Sequence, residues 1–245
     1  YMEHARNYLT ANRVSFKLIG THKTARHLIE AGLTYKLEHV KEQAKEYEMR
    51  DSSGYSIPHT ADRLDLIYTL MANNDLKSHR IEAYLQDTWR FSKGDTYFTL
   101  NYGVRLANWS FNKETIVSPR VSLAIVPSFN QDMTIRLATG IYYQAPFYKE
   151  MRDTVFLNGH TTARLNEKIK SQKSIQFIAA MDYRFRMLNR PFRFSAEAYY
   201  KALSNLIPYN VQNLKITYEG ENLCKGYATG IDLKLYGEFV PGSDS

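Results

Sequence analysis

The sequence lacks most features of metal-binding, disulfide-rich and helical membrane proteins. Cysteine occurs once in 245 residues, at Cys224, which excludes an internal disulfide and a cysteine-based zinc site. The seven histidines show no HxH or HExxH spacing, so we predict no metal site. No run approaches the ~18 apolar residues of a membrane helix, and the mean hydropathy is −0.46. Strands that cross a membrane remain open, because a transmembrane β-barrel distributes its apolar residues alternately.

Motifs of common enzymes and nucleic-acid-binding modules are also missing. There is no GxSxG nucleophile motif, phosphate-binding loop or dinucleotide fingerprint, so we predict neither an enzyme nor a cofactor. The net charge is +7, but the charged residues are scattered along the chain. Nucleic-acid modules combine a basic patch with a recognisable motif. Neither is found, and we predict no nucleic-acid partner.

What the chain does contain is an alternation of apolar and polar residues, clearest over residues 118–146. Apolar side chains take every second position from Val121 to Ile125 and again from Ile135 to Tyr143, with Thr139 as the exception. The positions between them are polar or small. This period of two predicts an antiparallel hairpin with one apolar and one polar face. Each strand runs to about ten residues, and a tilted strand needs ~9–11 to cross a bilayer.

The same alternation recurs along the chain and predicts about nine strands. The further strands are predicted at 12–19, 29–38, 80–89, 98–106, 175–185, 192–201 and 227–235. Residues 41–77 are charged and polar, with a weak apolar patch at 64–71, and are predicted as a long loop, parts of which are compatible with helix. The segments 147–174 and 204–225 are predicted to be irregular, the second with a small hairpin at 214–218.

The predicted connections alternate in length. They are short after residues 20, 89, 127 and 187 and longer after residues 40, 106, 144 and 203. In an up-and-down antiparallel sheet, alternate connections lie at the same end. The pattern therefore predicts an all-β fold, an antiparallel up-and-down transmembrane β-barrel segment with short periplasmic turns and long extracellular loops. The 19 tyrosines and 12 phenylalanines fit this prediction, since aromatic girdles border the apolar band of such barrels.

Seven segments follow one another in order along the chain: HLIEAGLTYKLE, EAYLQDTW, LNYGVRL, SPRVSL, RLATGIYYQAPF, AEAYYK and GYATGIDLKL. Together they resemble the β-barrel of TonB-dependent outer-membrane receptors. The resemblance implies a roughly 22-stranded barrel filled by an N-terminal plug, in the outer membrane of a Gram-negative cell. With about nine strands, residues 1–245 are expected to be part of that barrel domain in a longer protein, without the plug and the remaining strands.

The resemblance also implies a function and partners. A receptor of this family imports a scarce nutrient, such as a siderophore, vitamin, oligosaccharide or peptide, with energy delivered by TonB. The implied partners are outer-membrane lipid and lipopolysaccharide, the plug domain of the same chain, TonB through a missing N-terminal segment, and the nutrient ligand. The residues that couple transport to TonB have no counterpart in this sequence.

Two groups of residues are candidates for function. The first lies where a strand ends and a long loop begins, and is predicted either to capture ligand at the outer mouth or to belong to an aromatic girdle: Tyr142, Gln144, Phe147 and Tyr148. The second occupies the polar faces of predicted strands and is expected to face the lumen, where it would contact a plug or a ligand, an anionic one in the case of the two arginines: Arg120, Arg136, Glu82, Glu197 and Asp232. The three carboxylates could also act as an acid–base pair, although charged barrel linings usually pair with neighbours.

Two alternatives fit parts of the same pattern. A soluble β-sandwich adhesin or carbohydrate-binding module would bury the apolar faces of two sheets against each other. An outer-membrane lipase or protease barrel would share the strands but needs a nucleophile motif, which the sequence lacks. Strand length and loop asymmetry favour the transporter.

Overall fold

The computed structural model of this chain describes residues 2–50, 64–157, 159–212 and 215–237. These residues form strands and one short 3₁₀ helix, Tyr148–Met151. The strands are β1 (Met2–Lys23), β2 (His27–Arg50), β3 (Asp65–Lys93), β4 (Thr96–Trp109), β5 (Glu114–Val126), β6 (Met133–Gln144), β7 (Arg152–Leu157), β8 (His160–Leu165), β9 (Gln172–Met187), β10 (Arg190–Leu206), β11 (Tyr209–Gln212), β12 (Lys215–Tyr218) and β13 (Cys224–Gly237). None of the described segments is a helix long and apolar enough to span a membrane.

Nine strands form one path through the main sheet, in the order β1-β2-β3-β4-β5-β6-β9-β10-β13. All neighbours in this path are antiparallel. The prediction of about nine strands in an up-and-down arrangement is therefore confirmed. β11 and β12 pair with each other in a small separate sheet, which confirms the hairpin predicted near residue 214.

Strand register gathers the polar positions on one face of the sheet and the apolar positions on the other. Arg120 lies opposite Gly140, and on the other face Leu123 lies opposite Leu137. The apolar face stays exposed: Leu137 is 47% accessible and Ile231 is 74% accessible. No second sheet packs on this face among the described residues. The β-sandwich alternative, which needs such a cover, is therefore wrong.

The first three strands are much longer than predicted. β1, β2 and β3 have 22, 24 and 29 residues, so the predicted loop over 41–77 is wrong outside 51–63, which lie beyond the described residues. The apolar patch at 64–71 belongs to β3 from Asp65 onward. The alternation fails here because charged and apolar residues are mixed on both faces of the extension, yet backbone pairing continues as far as Arg50 opposite Asp65.

The connections separate into two ends of the sheet. At the turn end they cover only residues 24–26, 94–95, 127–132 and 188–189. Leu188 and Asn189 have φ of 53° and 59°, as a two-residue hairpin turn matched to the sheet twist requires. At the loop end, the insertions 145–171 and 207–223 are long, as predicted. The connection after Leu106 is not, because β4 continues to Trp109 and leaves four residues before β5.

The two long insertions fold into a compact layer at the loop end, which we call the loop cap (the described residues of 145–171 and 207–223). β7 and β8 form a hairpin, and β8 pairs in parallel with β3 at Met71 opposite Thr162. The predicted irregularity of these segments is thus wrong in part. The cap shares a buried apolar cluster with β3 and the end of β4, formed by Leu76, Trp109, Met151, Ile169 and Ile207.

Candidate functional site

A cleft of about 330 Å³ lies on the polar face, across β3, β4, β5 and β6. Arg105 on β4 lies opposite Ser118 on β5, and Arg120 lies opposite Gly103. The two arginines are therefore diagonal neighbours on one face, a relation with a typical spacing of about 7–8 Å. Tyr84 and Tyr142 line the two sides of the cleft.

Each arginine lies against a tyrosine ring. The Arg120 guanidinium carbon is 4.2 Å from the centre of the Tyr142 ring, and that of Arg105 is 5.7 Å from the Tyr84 ring. Cation–π contacts of this kind hold guanidinium groups in place without neutralising them. Tyr84 is itself held, because its hydroxyl donates to Glu30 at 2.6 Å.

A glycine makes room for the Tyr84 ring. Gly32 on β2 lies directly opposite Tyr84, and a Cβ atom at Gly32 would come within 2.2 Å of the ring. Only glycine lets the ring lie flat across the neighbouring strand at this point. The position of the aromatic wall of the cleft therefore depends on a residue two strands away from Arg105.

A smaller cavity of about 110 Å³ continues from the cleft toward the loop cap and shares three residues with it, Arg105, Ser118 and Arg120. We call this smaller cavity the upper cavity, because it lies nearer the loop cap. Its lining includes Arg80 and Trp109. The Arg80 guanidinium carbon lies 4.3 Å from the Trp109 ring centre, and Trp109 is only 4% exposed. The two cavities together form a polar track from the loop end into the middle of the sheet.

The five residues predicted on the polar face do not come together in one site. Arg120 lines the cleft, but Arg136 forms an ion pair with Asp182 at 2.7 Å, and Asp182 also binds Arg193. Glu82 is paired with Lys36 at 2.5 Å. Glu197 lies directly opposite Asp232, on strands β10 and β13. The structure thus places Glu82 apart from the other two carboxylates that the sequence groups with it.

The four residues predicted at the strand end also separate. Tyr142 lines the cleft, whereas Gln144 is exposed and lines neither cavity. Phe147 and Tyr148 belong to the loop cap: the Phe147 ring packs edge-on against Tyr218 at 5.1 Å, and the Tyr148 hydroxyl donates to Glu42 at 2.9 Å. Tyr148 therefore holds the cap in place.

Sequence reasoning missed Arg105, Tyr84 and Trp109 as members of one site. The alternation predicts that Arg105 and Tyr84 lie on the polar faces of their strands, which the structure confirms. No signal in a single strand tells which polar residues meet across strands, because that depends on register.

Among the described residues, no cluster of three or more histidine, cysteine or acidic side chains is arranged to hold a metal ion.

Besides the β8–β3 pairing and the apolar cluster, a buried carboxylate anchors the loop cap to the β2–β3 extension. Glu42 is 8% exposed and accepts hydrogen bonds from Arg152 at 2.8 Å, Tyr148 at 2.9 Å and Asn74 at 3.1 Å. Burial and the adjacent Glu42 carboxylate raise the pKa of Tyr148, so its hydroxyl stays a donor at neutral pH. The cap is therefore docked by charge-assisted hydrogen bonds.

A second cap carboxylate predicts a pH dependence. Glu150 is 6% exposed and accepts from the Phe147 amide at 3.0 Å and from Gln172 at 3.2 Å. Burial raises the pKa of Glu150 above that of a free carboxyl group, so its protonated form favours the docked cap. Its contribution is complete below the ordinary carboxyl pKa and is lost as pH rises through the raised pKa.

We therefore expect hydrogen-exchange protection of residues 147–152 to decrease as the pH rises from 4 to 8, after correction for the intrinsic exchange rate. Glu150→Gln should flatten this profile, because the amide keeps the acceptor for Phe147 without ionising. The control is Glu167→Gln, a carboxylate of the same segment outside this hydrogen-bond network. An unchanged profile in Glu150→Gln would contradict the assignment.

Comparison with known proteins adds a family and a set of folds. The family described as "TonB dependent receptor-like, beta-barrel" matches residues 3–242 of this chain. No curated protein matches the chain. Solved structures do match, at sequence identities that carry information about the fold alone.

Three of these structures illustrate the likeness. The siderophore receptor PirA from Acinetobacter baumannii superposes with a TM-score of 0.62 at 14% identity, over 95% of this chain and 35% of that one. The copper transporter OprC gives 0.61 at 15% identity, over 94% and 35%. The RagAB peptide transporter gives 0.58 at 12% identity, over 98% and 29%. The chain thus spans about a third of the length of each.

Proposed function

The chain belongs to the TonB-dependent receptor β-barrel family, and from this membership we propose that it forms part of the wall of an outer-membrane importer. The importer would carry a scarce nutrient inward with energy delivered by TonB. The polar face would line the lumen, and the apolar face would contact outer-membrane lipid and lipopolysaccharide. The plug domain of the same protein and the nutrient ligand are the partners of the lumen. The family is one of receptors and transporters, and we propose no catalytic step.

The observation that carries this proposal is the polar track from the loop cap into the cleft at Arg105 and Arg120. It lies on the polar face of a sheet whose other face is apolar and exposed. That division is the one expected of a barrel wall between lipid and an aqueous lumen. PirA is described as a siderophore receptor, OprC as a copper transporter and RagAB as a peptide transporter. In this chain, the side chains that line the cleft would select among ligands of such different chemistry.

A pair of adjacent positions on β6 tests transport through the lumen. Ala138 faces the cleft, whereas Leu137 lies on the apolar face. In the full-length parent protein, Ala138→Trp should lower uptake at least tenfold by filling the cleft, and Leu137→Trp should leave uptake within about twofold. Uptake is measured as growth of a deletion strain, complemented with each variant, when iron, cobalamin, oligosaccharide or peptide limits growth.

The same strains in a background without TonB provide the energy control. Complemented wild-type protein should restore growth on one nutrient class only when TonB is present. The proposal fails if the deletion has no growth defect in any class, or if uptake does not depend on TonB. Equal uptake by both tryptophan variants, with comparable amounts of folded protein in the outer membrane, would show that the cleft does not lie on the path.

A further inference from the structure

The polar track between the loop cap and the cleft presents hydrogen-bond donors without acceptors. The guanidinium groups of Arg105 and Arg120 have no carboxylate within 4.0 Å among the described residues, although Arg136 and Arg193 do. Above them, Arg80 Nε and Trp109 Nε1 are buried and lack an acceptor in the part of the chain that the structure describes. Buried donors are nearly always satisfied in proteins, so Arg80 Nε and Trp109 Nε1 call for an acceptor from outside the wall. Arg105 and Arg120 are exposed, and their charges are open to a ligand.

Two carboxylates, Glu82 and Glu114, line the upper cavity, and each is already engaged by a donor of the wall. Glu82 is bound to Lys36 at 2.5 Å. Glu114 accepts from the Ser171 hydroxyl at 2.6 Å and from the Ser171 amide at 2.9 Å. Arg80 reaches Glu38 only at 3.8 Å, through its Nη2 atom. Among the described residues, the upper cavity therefore keeps two unpartnered donors, Arg80 Nε and Trp109 Nε1, whereas in the cleft Asp87 Oδ1 is an unpartnered acceptor beside the arginine pair.

The size and position of the track suit a ligand group. The upper cavity holds about 110 Å³, and one water occupies about 30 Å³ in the liquid, so a carboxylate or phosphate group fits. Arg80 on β3 lies opposite Trp109 on β4. Trp109 is four residues from Arg105 along β4. At about 3.4 Å per residue, those four residues span roughly 14 Å. A molecule that leaves the loop cap would meet the upper donors first and the arginine pair next.

We propose that Arg80, Trp109, Arg105 and Arg120 bind an anionic, acceptor-rich group of the transported ligand, of the carboxylate or phosphate class. The proposal rests on the proposed import function and adds the chemical class of its substrate. A ligand is favoured over an acidic segment of the plug because Ala145 and Ser171, at the base of the loop cap, line the upper cavity. The track therefore begins where a ligand enters.

The experiment uses the full-length parent protein, purified in detergent at low ionic strength. Equilibrium dialysis measures binding of citrate and pyrophosphate, with sucrose as a neutral probe. We expect the wild type to bind at least one anion in preference to sucrose, and more weakly as salt is added. The double variant Arg105→Gln/Arg120→Gln should bind that anion at least tenfold more weakly.

The matched control is Lys201→Gln/Lys234→Gln. It removes the same two charges from the polar face of β10 and β13, outside both cavities, and Lys201 also lies over a tyrosine ring, 5.0 Å from Tyr199. Binding in this control should stay within about twofold of the wild type. An equal loss in both double variants would mean that net lumen charge alone attracts anions, and would overturn the site.

Trp109→Phe tests the upper cavity separately, since it keeps the aromatic ring and removes the Nε1 donor. A loss of about threefold to tenfold is expected from one hydrogen bond.

The proposal is overturned if the wild type binds neither anion better than sucrose. It is also overturned if the arginine variant keeps its anion affinity but releases the plug to trypsin more readily, which would assign the arginines to the plug. Anion binding without TonB-dependent uptake would refute only the import function, and uptake without anion binding would refute only this site.

Discussion

Replacement of Glu42 by alanine should weaken the docking of the loop cap on the β2–β3 extension. Glu42 is the common acceptor of Arg152, Tyr148 and Asn74, and its removal leaves a partly buried guanidinium without a counter-charge. Breaking one partner of a buried ion pair costs about 3 kcal/mol or more. That corresponds to a loss of protection of roughly 100-fold in the cap.

Hydrogen exchange followed by mass spectrometry on the full-length parent protein measures this loss in peptides covering 148–157 and 159–165. The control is Asp75→Ala, at a neighbouring position of the same extension. Asp75 is 50% exposed at its side chain and pairs only with His39 among the described residues, so its loss should cost less than about 1 kcal/mol. Equal effects of the two substitutions would show that Glu42 does not anchor the cap.

Replacement of Gly220 by alanine should have the second large effect, by separating the two insertions of the loop cap. Gly220 has φ of 67°, and a Cβ atom there would lie 2.5 Å from the backbone oxygen of Arg152. Alanine at this position therefore carries two costs. The left-handed backbone conformation costs about 1–2 kcal/mol, and the clash of Cβ with the Arg152 backbone cannot be relieved by a side-chain rotation. We expect a total cost above about 3 kcal/mol.

The two components can be separated with Gly159→Ala. Gly159 has φ of 79°, but a Cβ atom there would meet no neighbouring atom within 4 Å, so alanine carries the conformational cost alone. Both variants are compared by hydrogen exchange in peptides covering 152–157 and 215–223. Loss of protection well beyond that of Gly159→Ala supports the close approach of Gly220 to β7. Equal losses would leave the conformational cost as the whole effect.

Much of the barrel wall could be predicted from local pattern alone. The alternation at Val121, Leu123 and Leu137 identifies the face and the strand in the same step, because side chains in a strand alternate with a period of two. The extensions of β2 and β3 escaped this reasoning, since charged residues such as Glu42 share a face with apolar residues such as Ala44. Their strand structure comes from backbone pairing with each other and with β8.

The sequence by itself determined the number of strands in the sheet path, the face of each side chain and the resemblance to a receptor family, all of which depend on residues close together in the chain. Only the tertiary structure decided which polar residues meet. Arg105 and Arg120 come together through the register of β4 and β5, and Tyr148 meets Glu42 from 106 residues away. Contacts between strands depend on register, and contacts of the insertions depend on how the chain folds back over long sequence separations. No local sequence pattern encodes either of these.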